Sequence, residues 1–177
     1  IEELESALDG ADLVIGGVSS FGVEWFGEKV LPAVKAETPV LTVTKGLLDD
    51  ENGNLISYPY VWRDMLKKKG LKRNLNAVGG PCTSYELVAH DQTEVYFCGE
   101  DVETLRFLKK TMQTDYYHIS LSTDVTGVES AVALKNGYAL GITLTVGVNK
   151  RNFGENSELH YNSQAAAFGQ GVREMIN

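Results

Sequence analysis

Through its first 123 residues this chain alternates short apolar runs with helix-patterned stretches, and from residue 124 onward it carries helix pattern alone. The apolar runs fall at 11–18, 39–44, 75–79, 93–98 and 116–121. They are rich in Val, Leu, Ile and aromatic residues, and they end in glycine, serine or polar turns. Between them, apolar residues recur every three or four positions over 1–8, 23–35, 59–69 and 102–112. Such alternation implies βαβ crossovers and a largely parallel sheet covered on both faces. An antiparallel or edge pairing among the later strands is left open. The change at residue 124 marks a domain boundary, with 1–123 in an α/β domain and 124–177 beginning an all-helical one.

Local signals fill in the connections. Gly10 stops the first helix, Ser19 and Ser20 offer N-cap oxygens to the second, and Pro32 bends or divides it. Residues 49–54 form a polar turn. The segment from Gly80-Pro81 through Ser84 leads into a short helix ending near His90. Lys67, Lys68 and Lys69 read as a solvated helix end, where the helix dipole favours cations. His118 and the tyrosines before it decorate an edge strand.

The formal net charge is −8, which argues against nucleic acid or an anionic membrane surface as the main partner. It allows an anionic small molecule held by a few local lysines. Cys82 and Cys98 are too few for a disulfide framework, and His90, His118 and His160 lack metal-ligand spacing. Both thiols read as reduced, as in a cytoplasmic protein. The apolar 127–147 stretch is interrupted by Glu129 and Lys135 and reads as a buried central helix of a soluble protein. The chain opens on Ile1, directly in helical pattern, and is read as a piece of a longer protein.

Two features carry chemistry. In open α/β sheets, ligands bind beyond the carboxyl ends of the strands. Val18-Ser19-Ser20, Thr44-Lys45-Gly46 and Gly79-Gly80-Pro81 close three successive strands and are expected to line one crevice. The second feature is Lys135 with Asn136 inside the most apolar stretch, where Val128, Val132 and Lys135 share a helical face. Burial there would lower the lysine pKa toward the range useful for proton transfer. Snorkelling to water is the bland alternative.

Ala11-Asp12-Leu13-Val14-Ile15, Thr44-Lys45-Gly46, Gly80-Pro81 with Glu86, Val128-Glu129, Ala133-Leu134-Lys135-Asn136 and Asn162-Ser163-Gln164-Ala165-Ala166 occur in order. In order and spacing the set resembles the NAD(P)-dependent glycerol-3-phosphate dehydrogenases, over nearly the whole chain. The resemblance implies a Rossmann-type dinucleotide-binding domain, of which 1–123 is the later part, followed by an all-helical substrate domain. It implies interconversion of dihydroxyacetone phosphate and glycerol 3-phosphate with NAD or NADP, supplying glycerophospholipid precursors. Lys135 would be the catalytic proton donor and base, and Lys45 the second active-site lysine. Both would touch substrate, with Asn136. Ser19, Phe21, Lys45 and Ser84 would border the cofactor. Glu129 would be a helix-positioning or hydrogen-bonding group. No metal is implied, and a homodimer is allowed for.

The sequence departs from that pattern in two places. No G-x-G-x-x-G phosphate loop is present, because the chain starts beyond the family's first strand, and the family's phosphate-binding arginine would fall after Asn177. The fragment is therefore expected to bind dinucleotide weakly and not to turn over alone. The family's Gly-Asp-Asn-Thr-Lys is replaced by His160-Tyr161-Asn162-Ser163-Gln164, a later arginine by Gln170 or Gly169, and 149–158 reads as a lengthened loop. These changes keep open a related 2-hydroxyacid or 6-phosphogluconate-type dehydrogenase, or an inactive module that retains the fold.

Overall fold

A computed structural model describes residues 3–154 and 161–176. Two compact units divide the chain after Glu129. The first begins with a short helix α1 (Leu4–Leu8), broken at Gly10, whose φ is +74°. Strand β1 (Val14–Gly16) follows, then α2 (Val23–Trp25). One π turn (Phe26–Val30) and one 3-10 turn (Leu31–Ala33) extend α2 irregularly. Pro32 supplies no amide hydrogen, so the regular ladder cannot continue through it. Ser19 and Ser20 are exposed and make no side-chain cap, contrary to their expected role. That helix start is closed by a backbone bond from Gly22 to Ser19 instead.

Next come β2 (Pro39–Thr42), the hairpin β3 (Leu47–Asp49) and β4 (Leu55–Ser57), α3 (Tyr58–Lys68) and β5 (Asn74–Gly79). The hairpin was not foreseen. Its turn is fastened by the Asp50 carboxylate, which accepts from the amides of Asn52 and Asn54, both at 2.8 Å. A short α4 (Ser84–Val88), β6 (Thr93–Gly99), α5 (Val102–Met112) and β7 (Tyr117–Ser122) complete the α/β part. The Asp101 side chain caps α5 by accepting from the amides of Glu103 and Thr104.

The sheet order is β1-β2-β5-β6-β7. β1, β2 and β5 are mutually parallel, β6 runs antiparallel to β5, and β7 is parallel to β6. The reversal at β6 settles the open antiparallel pairing, and β7 is an edge strand. Because side chains alternate across a strand, adjacent residues serve opposite faces. Val40 joins a cluster with Val23, Phe26, Leu31, Trp62 and Leu66 under α2 and α3. Leu41 joins Val78, Val95, Phe97, Leu105, Leu108 and Ile119 under α5. This is the doubly wound arrangement the alternation implied.

Helix α6 (Val125–Phe153) begins in the first unit. Val125 packs with Ala77 of β5 and Cys98 of β6, and Tyr60 and Val128 border the cluster. In the second unit α6 is accompanied by α7 (Tyr161–Ile176). There the Tyr138 hydroxyl donates to Glu174 at 2.6 Å, and Tyr138 lies against Gly171. The expectation of a buried central helix fails for this part of α6. Leu134, Leu140, Leu144 and Val148 are exposed, since α7 is the other helix of the unit and covers one side. Residues 149–153, expected in a loop, continue α6, while 155–160 lie outside the described residues.

Trp62 joins α3 to the irregular helix. Its indole donates to the Val23 carbonyl at 2.7 Å, its ring meets Phe26 at 5.1 Å, and it is 1% exposed. Trp62→Ala removes both a buried donor and a large apolar surface. It is expected to destabilise the chain by about 3–5 kcal/mol in urea unfolding. A loss under 1 kcal/mol would contradict this account of the core.

Candidate active site

Because β1, β2 and β5 are adjacent and parallel, their carboxyl ends lie side by side. Hydrogen bonds from β2's exit turn tie the three turns together. The Thr44 hydroxyl donates to the Val18 carbonyl at 2.5 Å, joining the turns after β1 and β2. The Lys45 ammonium donates to the Gly80 carbonyl at 2.8 Å, joining the turns after β2 and β5. Two glycines make these approaches possible. Gly46 has φ +150° and Gly80 φ +124°, backbone that L side chains rarely adopt. A side chain at Gly46 would run into Tyr58, and a Cβ at Gly80 would stand 3.1 Å from the Val95 Cα.

The sequence-derived candidates distribute as follows. Lys45 stands in the β2 turn with its residue exposed. Ser19 precedes a single 3-10 turn (Ser20–Gly22) beyond β1, and Phe21 on that turn is 97% exposed. Ser84 opens α4 beyond Gly80, also exposed. These four therefore gather on the turns at one end of the sheet. Lys135 and Asn136 belong to the second unit and are exposed on α6. The expectation that burial strips water from Lys135 is thus corrected, since Lys135 is exposed although Val128 and Val132 on the same face are half-buried.

Glu129 is the group that sequence reasoning undervalued. It is 1% exposed, and neither carboxylate oxygen has a hydrogen-bond partner. Of the two roles expected for it, helix positioning or hydrogen bonding, the second finds no partner among the described residues. Burial pushes its pKa up to about 7, and the nearby Lys45 charge opposes part of that rise. The signal was available, because Glu129 lies four residues beyond Val125 and so shares its core-facing stripe. Next to it Cys98 is buried, and burial together with the Glu129 charge pushes its thiol up to about 12. That thiol is unreactive at neutral pH. Among the described residues, no group of three or more His, Cys, Asp or Glu could hold a metal.

A cavity of about 770 Å³ lies at the opposite, amino end of β5, lined in part by Tyr60, Arg63, Arg73, Asn74, Glu100 and Val125. Its two arginines have structural partners. Arg63 pairs with Glu100 at 3.2 Å and lies over the Tyr60 ring, and Arg73 donates to the Leu31 and Pro32 carbonyls. Lys45, by contrast, stands at the strand-end turns.

Comparison with known proteins decides the family. The sequence pattern described as NAD-dependent glycerol-3-phosphate dehydrogenase N-terminus matches residues 1–105. The chain belongs to this family. An NADP(+)-dependent glycerol-3-phosphate dehydrogenase of Archaeoglobus fulgidus is 31% identical over 174 residues, 98% of this chain and 50% of that protein. A glycerol-3-phosphate dehydrogenase [NAD(P)+] of Syntrophobacter fumaroxidans is 30% identical over 173 residues, 98% of this chain and 47% of the relative. The chain thus spans about half the length of the curated relatives it matches. The solved glycerol-3-phosphate dehydrogenase of Plasmodium falciparum superposes with a TM-score of 0.79 at 22% identity, covering 98% of this chain and 44% of that one. That of Coxiella burnetii gives 0.70 at 20%, covering 97% and 48%. These superpositions establish the Rossmann-type fold. In this glycerol-3-phosphate dehydrogenase-family chain, Ser19, Phe21, Lys45 and Ser84 fall inside the matched segment, and Lys135 and Asn136 lie beyond it.

Glu129 makes stability depend on pH. Its folded pKa of about 7 is raised from the ordinary 4.5. Its contribution is fully present below 4.5 and is lost as pH rises through 7. Denaturant titrations at pH 4.5 and pH 8 should show a Glu129-specific decline on the order of 3 kcal/mol. Glu129→Gln should abolish that decline, and equal pH dependence in both proteins would refute the burial account. Gly46→Ala should cost about 1–3 kcal/mol in the same assay, from its backbone strain and the Tyr58 collision.

Proposed function

We propose that the full-length protein carrying this chain is a nicotinamide-dependent dehydrogenase interconverting dihydroxyacetone phosphate and glycerol 3-phosphate. The chain would supply the later part of its dinucleotide domain (1–123) and the start of its helical domain (124–177). The observation that carries this reading is the tie of three parallel-strand exits by Thr44 and Lys45. A carbonyl reduction needs a cation where oxygen charge develops and a positioned proton donor. A lysine fixed at the carboxyl ends of the strands suits the first need, and we assign Lys45 to polarising the substrate oxygen. Lys135 is assigned the proton transfer and Asn136 the hydrogen bonding of substrate.

NAD or NADP would supply hydride when bound. The residues fit one part of such a group. Phe21, 97% exposed, offers a bare aromatic face beside the small residues Ser19 and Ser20. Ser84 and the side-chain-free backbone at Gly80 allow close approach. The anionic substrate is a small phosphorylated molecule, and the surplus of acidic residues disfavours nucleic acid. α6 is long and apolar enough to cross a membrane, which for one helix is weak evidence. Its first turns pack on the sheet through Val125 and Glu129, so we read it as part of a water-soluble, cytoplasmic enzyme. The free thiols of Cys82 and Cys98 agree with that compartment.

A second reading is favoured by one observation, the Tyr161 and Gln164 departures. Tyr161 is exposed at the start of α7, and His160 lies outside the described residues. A dehydrogenase of the same architecture with another 2-hydroxy or 2-keto substrate would account for them. The deciding assay follows consumption of each reduced nicotinamide by the full-length protein with dihydroxyacetone phosphate. Turnover is expected, and absence of turnover with both cofactors would overturn the first reading. Lys135→Ala should then lower kcat by about 10²–10⁴-fold while nicotinamide affinity stays within about twofold. Unimpaired turnover would remove Lys135 from the reaction.

A further inference from the structure

We propose that the buried Glu129 carboxyl is a positioning residue for Lys45, serving as the charge partner that holds the ammonium at the strand-end turns. This rests on the reading of Lys45 as a substrate-facing amine.

The placement follows from the fold. Since β6 and β7 run opposite to β5, β7 ends at the sheet end where β5 begins. α6 starts there, and Val125 lines the cavity beside Asn74. The helix packs Val125 against Ala77 and Cys98. One turn later, about 6 Å further along, Glu129 occupies the same stripe. It acts electrostatically on Cys98 below it and on Lys45 at the strand ends. A carboxylate with no hydrogen bond, 1% exposed, is costly unless a neighbouring charge compensates it. Lys45 is the cation whose field reaches it. The lysine is anchored by the Gly80 carbonyl at 2.8 Å. The Gly80 carbonyl thus fixes the ammonium within the field of the buried carboxyl.

The other ionisable groups near Glu129 are Cys98 from β6, Tyr60 from α3 and Asp124 before α6. Burial and neighbouring acids hold the Cys98 thiol neutral, and Asp124 is exposed with its carboxylate engaged by the Gly127 amide at 2.8 Å. Among these groups, Glu129 is the one whose charge changes near neutral pH, and Lys45 is the cation that opposes the effect of its burial. On this proposal each charge should perturb the titration of the other. As pH rises through 7, Glu129 ionises and the Lys45 ammonium is held more firmly.

The test uses the full-length protein with its lysines ¹³C-methylated, the Lys45 signal being the one lost in Lys45→Arg. In wild type that signal should show an inflection near pH 7, from Glu129, as well as its own titration. In Glu129→Gln the inflection should vanish and the midpoint should fall by about one pH unit. In Glu129→Asp the inflection should persist. Should Glu129→Gln fail to fold, Lys45→Met with a ¹³C-carboxyl glutamate label gives the reciprocal reading, in which the Glu129 midpoint should rise above wild type. Unmoved midpoints in these variants would overturn the proposal. None of these readings needs substrate. A coupled pair in a protein silent toward dihydroxyacetone phosphate would refute the proposed reaction and leave the pair standing. Turnover with uncoupled titrations would refute the pair alone.

Discussion

The bond from the Lys45 ammonium to the Gly80 carbonyl holds together two turns separated by 35 residues of sequence. It depends on β2 lying beside β5 in parallel, which brings their carboxyl ends to one place. It depends also on Gly46 and Gly80 adopting backbone closed to other residues. Thr44 repeats the device one strand over by reaching the Val18 carbonyl. The arrangement at the mouth of the sheet is thus built from main-chain carbonyls and two side chains of a single turn. A site organised this way is rigid where backbone defines it, and Lys45 is the cation that this backbone fixes in place.

Much of the α/β part was legible because hydrophobic period and turn residues agreed with each other. Residues 102–112 have an apolar stripe, and the sequence Asp101-Val102-Glu103-Thr104 starts the helix, so α5 matches its expected bounds. The β3–β4 hairpin was hidden because Leu47-Leu48 and Leu55-Ile56 are too short to show alternation, and the polar stretch between them reads equally as a loop. The direction of β6 was hidden for a different reason. Strand pattern reports burial and is blind to polarity of the chain, and the 80–92 connection holds only the short α4 rather than a full crossover helix.

The candidate site was legible unevenly. Lys45 could be chosen because it ends a buried strand before glycine, a position that α/β sheets use for ligands. Lys135 was singled out by the apolar run around it, and that argument did not survive, since Lys135 is exposed on α6. Its assignment rests on the family resemblance carried by Ala133-Leu134-Lys135-Asn136, and kinetics of the Lys135→Ala protein would test it. Glu129 was visible as an acid among apolar residues and was given a helix-positioning or hydrogen-bonding role. Only coordinates could show that no donor meets it, while four-residue spacing from Val125 could have shown that it faces inward.

The reversal of β6 has a consequence for how this fold can diversify. Because β5 leaves the sheet and β6 re-enters it at the same end, residues 80–92 make an out-and-back excursion beside the strand exits. Its ends are pinned by the Gly79–Tyr96 register and by Thr93, whose amide donates to the Tyr116 carbonyl at 2.8 Å. Beyond Gly80, which the Lys45 bond fixes, this excursion can therefore change length or sequence without shifting any strand of the sheet.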